Sequence, residues 1–136
     1  MKVFFALVAL LVTACLPPQA SAQTIQTYNV SRGALSGTFQ QIGFYYSVNA
    51  DCSPQPRATV RIATPPAHGW FYIEPVAGYP NFPANNQRYQ CNTRQVPGTG
   101  VVYRSQDGYL GADTGTVEVL FASGLLQQVR FDILVR

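Results

Sequence analysis

The single histidine of this sequence is the first side chain that could take part in catalysis. His68 lies between Ala67 and Gly69, directly after two prolines. A histidine that acts as a general base needs a hydroxyl nucleophile and an orienting carboxylate within hydrogen-bonding reach. No serine of the chain lies in the glycine-framed turn that presents a nucleophile in many hydrolases. The surroundings of His68 are typical of a hairpin turn, and a small hydrolase that uses His68 is only an alternative.

Two pairs of acidic residues could form a site. Asp107 and Asp113 flank a glycine-containing turn and are weak candidates for calcium ligands, since calcium prefers several oxygen atoms. We favour the competing interpretation, in which Asp107 and Gly108 form a turn and Asp113 accepts hydrogen bonds from backbone amides. Glu74 and Asp132 could be a glycosidase pair, but strands of unknown pairing give no carboxylate separation. We therefore expect no catalytic residue, no metal and no cofactor.

Cys52 and Cys91 are the two cysteines outside the N-terminal leader that is described below. In an exported protein, two such cysteines form a disulfide by default. A redox or metal role has little support, because the chain has no C-x-x-C spacing and His68 is the only other soft ligand. We predict a disulfide that stabilises the fold by roughly 3–4 kcal/mol.

The segment 75–87 has neither strand nor helix periodicity, and it contains three prolines and three asparagines. A long loop in a compact domain is often a binding loop. Aromatic rings and amides provide contact area and hydrogen bonds at a low entropic cost. The predicted binding residues are Tyr79, Asn81, Phe82, Asn85 and Asn86. The alternative is that Tyr79 and Phe82 fold back over the edge of the core near the disulfide.

Residues 1–22 combine a basic start, an apolar stretch and a small-residue end, which is the pattern of a secretory signal peptide. We expect cleavage after Ala22. The apolar stretch is shorter than the roughly 20 residues that span a bilayer. In an alternative interpretation, Cys15 is the lipid-bearing cysteine of a lipoprotein. The sequence thus predicts one domain over residues 23–136, secreted or periplasmic, with no integral membrane span.

The positive charge of the chain is dispersed. Lys and Arg total nine against six Asp and Glu, which gives a net charge of +3, and no two basic residues are adjacent. Phosphate binding needs a concentrated basic patch. Nucleic acid is therefore not an expected partner.

The C-terminal part has the clearest strand pattern, an alternation of apolar and polar residues. Segments 116–121 and 127–136 alternate in this way, and the small residues between them suit a hairpin loop. The positions predicted to point inward are Val117, Val119, Phe121, Val129, Phe131, Ile133 and Val135.

Six further strands are predicted at segments 23–30, 39–48, 58–64, 70–74, 88–93 and 101–104. We expect strand 70–74 to form a hairpin with strand 58–64, in which Ala58, Val60 and Ile62 point inward. Short strands at this spacing, about seven or eight in all, predict an all-β antiparallel sandwich. A closed barrel is the alternative.

Three sequence features occur in order: the turn 64–69 (TPPAHG) followed by an aromatic strand, the segment 100–103 (GVVY), and the turn 108–113 (GYLGAD). Together they resemble the bacterial cadherin-like, immunoglobulin-related domains of secreted and surface proteins, over residues 58–136. The resemblance implies an immunoglobulin-like sandwich used for adhesion or binding. The chain departs from that pattern in being a single copy with its own disulfide. It also lacks the acidic clusters that hold calcium between cadherin repeats, so calcium is not expected.

These observations predict a secreted, non-catalytic binding or adhesion module. Its partner would be a protein or a glycan, engaged through the loop 79–86. One alternative is a secreted inhibitor that presents this loop to a hydrolase, and the other is the small hydrolase considered above.

Overall fold

The computed structural model describes residues 25–136. The predicted signal peptide, its cleavage after Ala22 and the alternative lipid attachment at Cys15 lie outside the described residues. Within residues 25–136, no helix has the length and the apolar character needed to cross a membrane.

The described part of the chain contains seven strands and one short 3₁₀ helix. The strands are β1 (Gln26–Ala34), β2 (Gln40–Tyr46), β3 (Thr59–Thr64), β4 (Gly69–Gly78), β5 (Val96–Ser105), β6 (Gly111–Leu120) and β7 (Leu126–Val135), and the 3₁₀ helix (Tyr89–Thr93) lies between β4 and β5. The strands are rich in β-branched and aromatic residues, which fit a pleated, half-buried surface.

The strands form two sheets that together build a β-sandwich. The four-stranded sheet has the order β1-β7-β6-β3, and the three-stranded sheet has the order β2-β5-β4. Strand β1 runs parallel to β7, and all other strand pairs in residues 25–136 are antiparallel. The prediction of an all-β antiparallel sandwich with one disulfide is confirmed, except that the β1–β7 pair is parallel.

The main core lies between the two sheets. Tyr103 of β5 and Phe131 of β7 are fully buried there. The Phe71 ring lies 6.0 Å from the Tyr103 ring and 5.8 Å from the Phe131 ring, both edge to face, which is a favourable aromatic geometry. The predicted facing of the C-terminal hairpin is confirmed, since all its inward positions are buried except Phe121, which packs partly buried against the core.

The predicted strand over residues 88–93 is wrong, because this segment contains the 3₁₀ helix. Successive backbone bonds run from Tyr89 N–H to the Asn86 carbonyl, from Cys91 N–H to Arg88, and from Arg94 N–H to Cys91. These three-residue bonds satisfy the amides locally, so the segment needs no strand partner. Residues 25–136 therefore contain seven strands, which agrees with the lower of the two numbers that the sequence predicts.

The predicted hairpin between segments 58–64 and 70–74 is also wrong. Strand β3 pairs with β6, whereas β4 pairs with β5 in the other sheet. Strand β3 is an edge strand with a register irregularity between Ile62 and Thr64, and Ile62 is exposed, although Ala58 and Val60 are buried as predicted.

Strand β4 is longer than predicted and continues to Gly78. It contains Pro75, which has no N–H to donate, but β4 is an edge strand, where proline is tolerated. The irregular segment expected over residues 75–87 therefore begins at Tyr79.

The predicted disulfide between Cys52 and Cys91 is present, with the two Cα atoms 5.4 Å apart. It joins the loop after β2 to the 3₁₀ helix. A second, smaller core cluster surrounds it, formed by Val48, Cys91 and Val96 with partly buried Phe44, Tyr46, Cys52 and Phe82. We refer to these residues and the loops that carry them as the disulfide cap.

Replacing Phe131 with Ala should lower the free energy of unfolding by about 3–5 kcal/mol, because a fully buried ring leaves a cavity in the core. The matched control is Arg130→Ala on the outer face of β7. Arg130 forms a solvent-exposed pair with Asp132, so this change should cost less than about 1 kcal/mol. Urea unfolding of both variants measures the difference, and equal losses would contradict the register.

Candidate binding surface

A buried carboxylate anchors the turn that carries His68. Asp113 in β6 is almost fully buried. Its Oδ1 accepts hydrogen bonds from the backbone N–H groups of Ala67 (3.0 Å) and Thr114 (3.0 Å). Its Oδ2 accepts from the His68 backbone N–H (3.1 Å) and from the Tyr103 hydroxyl (2.8 Å). Four donors therefore compensate the loss of water around this charge.

The two weak calcium candidates do not form a shared site. Both oxygens of Asp113 face hydrogen-bond donors, whereas Asp107 is exposed and pairs with the Arg104 guanidinium at 2.7 Å. Asp107 and Gly108 form a turn, as that interpretation expects. Asp113 accepts backbone amides, but they belong to the earlier turn before β4 and not to the next turn along the chain. No group of three or more metal-binding side chains occurs within residues 25–136.

His68 is exposed, and its ring stacks on the Tyr109 ring with centroids 4.1 Å apart. The Tyr109 hydroxyl in turn donates to the Ala112 carbonyl at 2.5 Å. The backbone N–H of His68 binds Asp113, and its carbonyl accepts from the Gln106 N–H at 2.8 Å. These contacts place His68 in an anchored turn, in agreement with the turn expected there.

The carboxylates of Glu74 and Asp132 lie on opposite outer surfaces of the sandwich. Glu74 is on β4 and Asp132 is on β7, which belong to different sheets. Their neighbours Ile73 and Ile133 pack into the main core, and successive strand residues point to opposite faces. The two carboxylates point away from each other, so they cannot flank one substrate as a glycosidase pair must.

The loop 79–86 divides into exposed and anchored residues. Tyr79 is 60% exposed, and the side chains of Asn81 and Asn85 are also exposed. Asn86 is partly buried, and its Oδ1 accepts from the Arg88 backbone N–H at 2.8 Å. Of the predicted binding residues, Tyr79, Asn81 and Asn85 remain accessible.

Phe82 holds the loop to the disulfide cap. Its ring lies 5.5 Å from the Tyr46 ring, edge to face. The side-chain amide of Asn92 accepts from the Phe82 N–H and donates to the Phe82 carbonyl, both at 2.9 Å. The Asn81 backbone N–H donates to the Tyr46 hydroxyl at 2.7 Å. Phe82 thus covers the core edge near the disulfide, as the alternative interpretation of the loop proposed, whereas Tyr79 does not fold back.

Exposed aromatic rings occur on the outer face of the three-stranded sheet. Trp70 and Tyr72 alternate with Phe71 and Ile73, which pack into the main core, so the first two point outward. Trp70 is 48% exposed and Tyr72 is 42% exposed. The nearby Phe39 is 65% exposed, and its ring centroid is 5.4 Å from that of Tyr72. We call Phe39, Trp70 and Tyr72 the aromatic face.

The aromatic face is supported from below by β5. Val102 points outward between its pairing partners Tyr72 and Gln41, yet only 8% of it is exposed. Phe39 precedes β2 and Tyr72 lies on β4, so their rings meet above β5 and cover Val102. The Arg104 guanidinium lies 5.3 Å from the Phe39 ring centroid, in a cation–π geometry.

The disulfide cap covers the other end of the same outer face. Phe44 packs over Gly98 and Gly78, where an added Cβ would lie 2.4 Å and 2.9 Å from Phe44 ring atoms. Tyr79 follows Tyr72 by seven residue steps, which in extended chain corresponds to about 23 Å. The aromatic face and the loop 79–86 are therefore two separate surfaces.

A groove of about 360 Å³ opens at the flank of the sandwich, between β1 and β2. Arg32 crosses it and donates from Nε to the Ile42 carbonyl at 2.8 Å. Burial raises the pKa of Tyr45 from its ordinary value near 10 to about 12, and the nearby Arg32 charge opposes this shift. The groove thus presents a neutral phenol and a cation already engaged with the backbone.

The aromatic face was not among the residues that the sequence predicted to bind. The sequence places Trp70 and Tyr72 in the predicted strand 70–74 and indicates no binding role for them. The sequence does contain a signal for this surface. Trp70, Phe71, Tyr72 and Ile73 are all aromatic or apolar, so neither face of this strand is polar. A strand can bury both faces only where another layer covers the second one.

Comparison with known proteins gives no relative: no protein-family model, no curated protein and no solved structure matches this chain.

Replacing Asp113 with Asn should lower the free energy of unfolding by about 2–4 kcal/mol, because the amide cannot accept from all four buried donors. Asp107→Asn is the matched control, since that carboxylate is exposed and forms one surface pair, worth less than about 1 kcal/mol. Chemical denaturation compares the two. A small loss for Asp113→Asn would show that the turn holds without the charge.

The burial of Tyr45 should make the protein less stable at alkaline pH. Because folding raises its pKa to about 12, the stabilisation is complete below pH 10 and is lost as the pH rises from 10 towards 12. The loss should reach about 2–3 kcal/mol. Tyr45→Phe should remove this part of the pH dependence, whereas Phe at the exposed Tyr28 should leave it unchanged. Denaturation curves between pH 8 and about pH 12 measure both, and identical slopes would contradict the assignment.

Proposed function

We propose that this protein is a secreted or periplasmic binding module without catalytic activity of its own. The observation that carries the proposal is the aromatic face, on which three rings stay exposed above a sheet that the core and the disulfide cap hold in place. Exposed aromatic clusters mark binding surfaces, because burying them against a partner releases ordered water at a small entropic cost to the side chains.

The disulfide supports the proposed compartment. Structural disulfides persist in oxidising environments such as the periplasm and the cell exterior. The Cys52–Cys91 bond closes a loop that carries the disulfide cap, and this cap covers one end of the outer face of the three-stranded sheet. The shape of that face therefore depends on a compartment in which the disulfide stays oxidised. The leader predicted over residues 1–22 agrees with export.

The strand order supports the resemblance to immunoglobulin-related domains. A seven-strand immunoglobulin domain distributes strands A, B, E and D to one sheet and C, F and G to the other. In this chain the second, fifth and fourth strands share one sheet, and the third, sixth and seventh share the other. The first strand joins the seventh in place of the second. A binding or adhesion role fits this architecture, which leaves sheet faces and loops free for contact.

Two surfaces are candidates for the contact. The loop 79–86 offers Tyr79 and the amides of Asn81 and Asn85, but Phe82 belongs to the cap. The aromatic face offers three rings. Two of them, Trp70 and Tyr72, lie on strand β4, where side chains are held more precisely than on a loop. We therefore assign the main contact to the aromatic face and a secondary contact to Tyr79.

Affinity capture tests this function. The exported, disulfide-bonded protein is immobilised and exposed to the medium and the cell-envelope fraction of its source. Captured proteins are identified by mass spectrometry and captured glycans by monosaccharide analysis. We expect capture to fall by about tenfold with the double variant Trp70→Ala, Tyr72→Ala, because ring anchors dominate such contacts.

Two further variants serve as controls for the capture. Tyr28 is 43% exposed on β1, close to the exposure of Tyr72, and Tyr28→Ala should leave capture unchanged. Tyr79→Ala should weaken capture only in part. If all variants capture as the unaltered protein does, the aromatic face is not a binding surface and the proposal is wrong. If Tyr79→Ala abolishes capture and the Trp70→Ala, Tyr72→Ala double variant does not, the loop 79–86 is the main contact.

A further inference from the structure

We propose that the aromatic face binds a neutral polysaccharide, with its rings stacked on the C–H-bearing faces of the sugar units. This inference rests on the binding function proposed above and specifies the chemical class of its ligand. Four observations carry it: the spacing of the rings, the polar groups beside them, the local charge and the size of the face.

The rings are spaced as a row of stacking platforms. Trp70 and Tyr72 are two residues apart on β4, so their attachment points are separated by about 7 Å. Phe39 flanks this pair across β5, with its ring centroid 5.4 Å from that of Tyr72, the two ring planes 59° apart, and the Arg104 guanidinium 5.3 Å from its centroid. The electron-rich ring faces attract the weakly positive C–H groups of a pyranose ring. A chain of sugars can therefore contact successive rings.

Polar groups that could bind sugar hydroxyls lie at the edges of this row. Within the described residues, neither the Tyr72 hydroxyl nor the Trp70 indole N–H takes part in a side-chain hydrogen bond. Gln41 is exposed and lies opposite Val102, beside the rings. A hydroxyl, an N–H donor and an amide provide both donors and acceptors. Sugar hydroxyls pair with such a mixed set.

The local charge favours a neutral ligand over an anionic one. Arg104 is the cation on this part of the face, and its Nη2 pairs with Asp107 at 2.7 Å while its Nε donates to the Gly37 carbonyl at 3.0 Å. Glu74 occupies the next outward position of β4 after Tyr72 and repels anions. At the rings, a polyuronate or a sulfated glycan would meet an arginine that is already paired with Asp107, and Arg32 beside Gln41 donates to the Ile42 and Ser31 carbonyls.

The size of the face suits a short stretch of sugar chain better than a second copy of the protein. From the exposed fractions of its three rings, the aromatic face offers about 300 Å² of surface. A stable protein–protein interface needs about 800 Å² from each partner. Two or three sugar units stacked on the rings need no larger area than the face provides.

The single tryptophan of the chain makes the test direct. Because Trp70 is the only tryptophan, its fluorescence reports contact at the aromatic face. The exported, disulfide-bonded protein is titrated with cellohexaose, xylohexaose, chitohexaose and mannohexaose, and with polygalacturonate as the anionic comparison. We expect at least one neutral hexasaccharide to shift the emission to shorter wavelength and to give a binding isotherm by calorimetry. Polygalacturonate should bind at least about tenfold more weakly.

Variants separate stacking from other causes of binding. Tyr72→Ala and Phe39→Ala keep the fluorophore, and each should weaken binding by about tenfold or more. Tyr28→Ala is the control of matched exposure and should change the affinity by less than about twofold. Circular dichroism confirms that each variant is folded. Since the ligand is neutral, added NaCl should leave the affinity unchanged.

The other outcomes overturn the inference in distinguishable ways. Failure of every neutral hexasaccharide, with ring-dependent capture of a protein in the affinity experiment, would reject the glycan and keep the binding function. Failure of both experiments would reject the binding function as well. If the Tyr72→Ala and Phe39→Ala variants both bind the sugar as tightly as the unaltered protein does, the sugar lies elsewhere. Self-association in sedimentation that Trp70→Ala abolishes would identify a second copy as the occupant.

Discussion

The carboxylate of Asp113 is the interaction on which the arrangement of the two sheets depends. The turn before β4 leads the chain from the four-stranded sheet to the three-stranded one. In this turn the backbone N–H groups of Ala67 and His68 donate hydrogen bonds to the Asp113 carboxylate. The Tyr103 hydroxyl completes the site, and burial together with the contact to Asp113 raises the pKa of Tyr103 well above its usual value. One buried charge therefore connects β4, β5 and β6, and burying it is tolerated only because donors surround it.

The disulfide cap determines which part of the outer sheet face is open. Phe44 can pack closely on the sheet because Gly98 and Gly78 have no side chain beneath it. Phe82 and the Cys52–Cys91 bond close this end over Val48 and Val96. At the other end no segment of residues 25–136 covers the rings. The same sheet face is thus a small core at one end and an exposed surface at the other.

Alternation along single strands made much of the fold predictable. It identified the buried positions of the C-terminal hairpin, because facing depends only on neighbours in sequence. Alternation does not identify strand partners. The predicted hairpin of β3 and β4 is therefore wrong, since β3 pairs with β6 and β4 pairs with β5. The 3₁₀ helix was missed because local backbone bonds decide it. The aromatic face was missed because hydrophobicity counts Trp70 and Phe71 alike, whereas only tertiary structure decides which is covered.

The position of the rings on an edge strand raises the question of how the protein avoids pairing with other strands. Within residues 25–136, strand β4 pairs only with β5, so no described strand covers its other edge, and an open edge next to exposed aromatic residues favours the addition of another strand. Pro75 removes one N–H from β4 while its pairing with Thr99 is kept, and Glu74 adds a charge beside it. Both features oppose the docking of another strand along this edge. The rings are therefore accessible from above the sheet, and the proposed ligand would meet their faces and not the edge of β4.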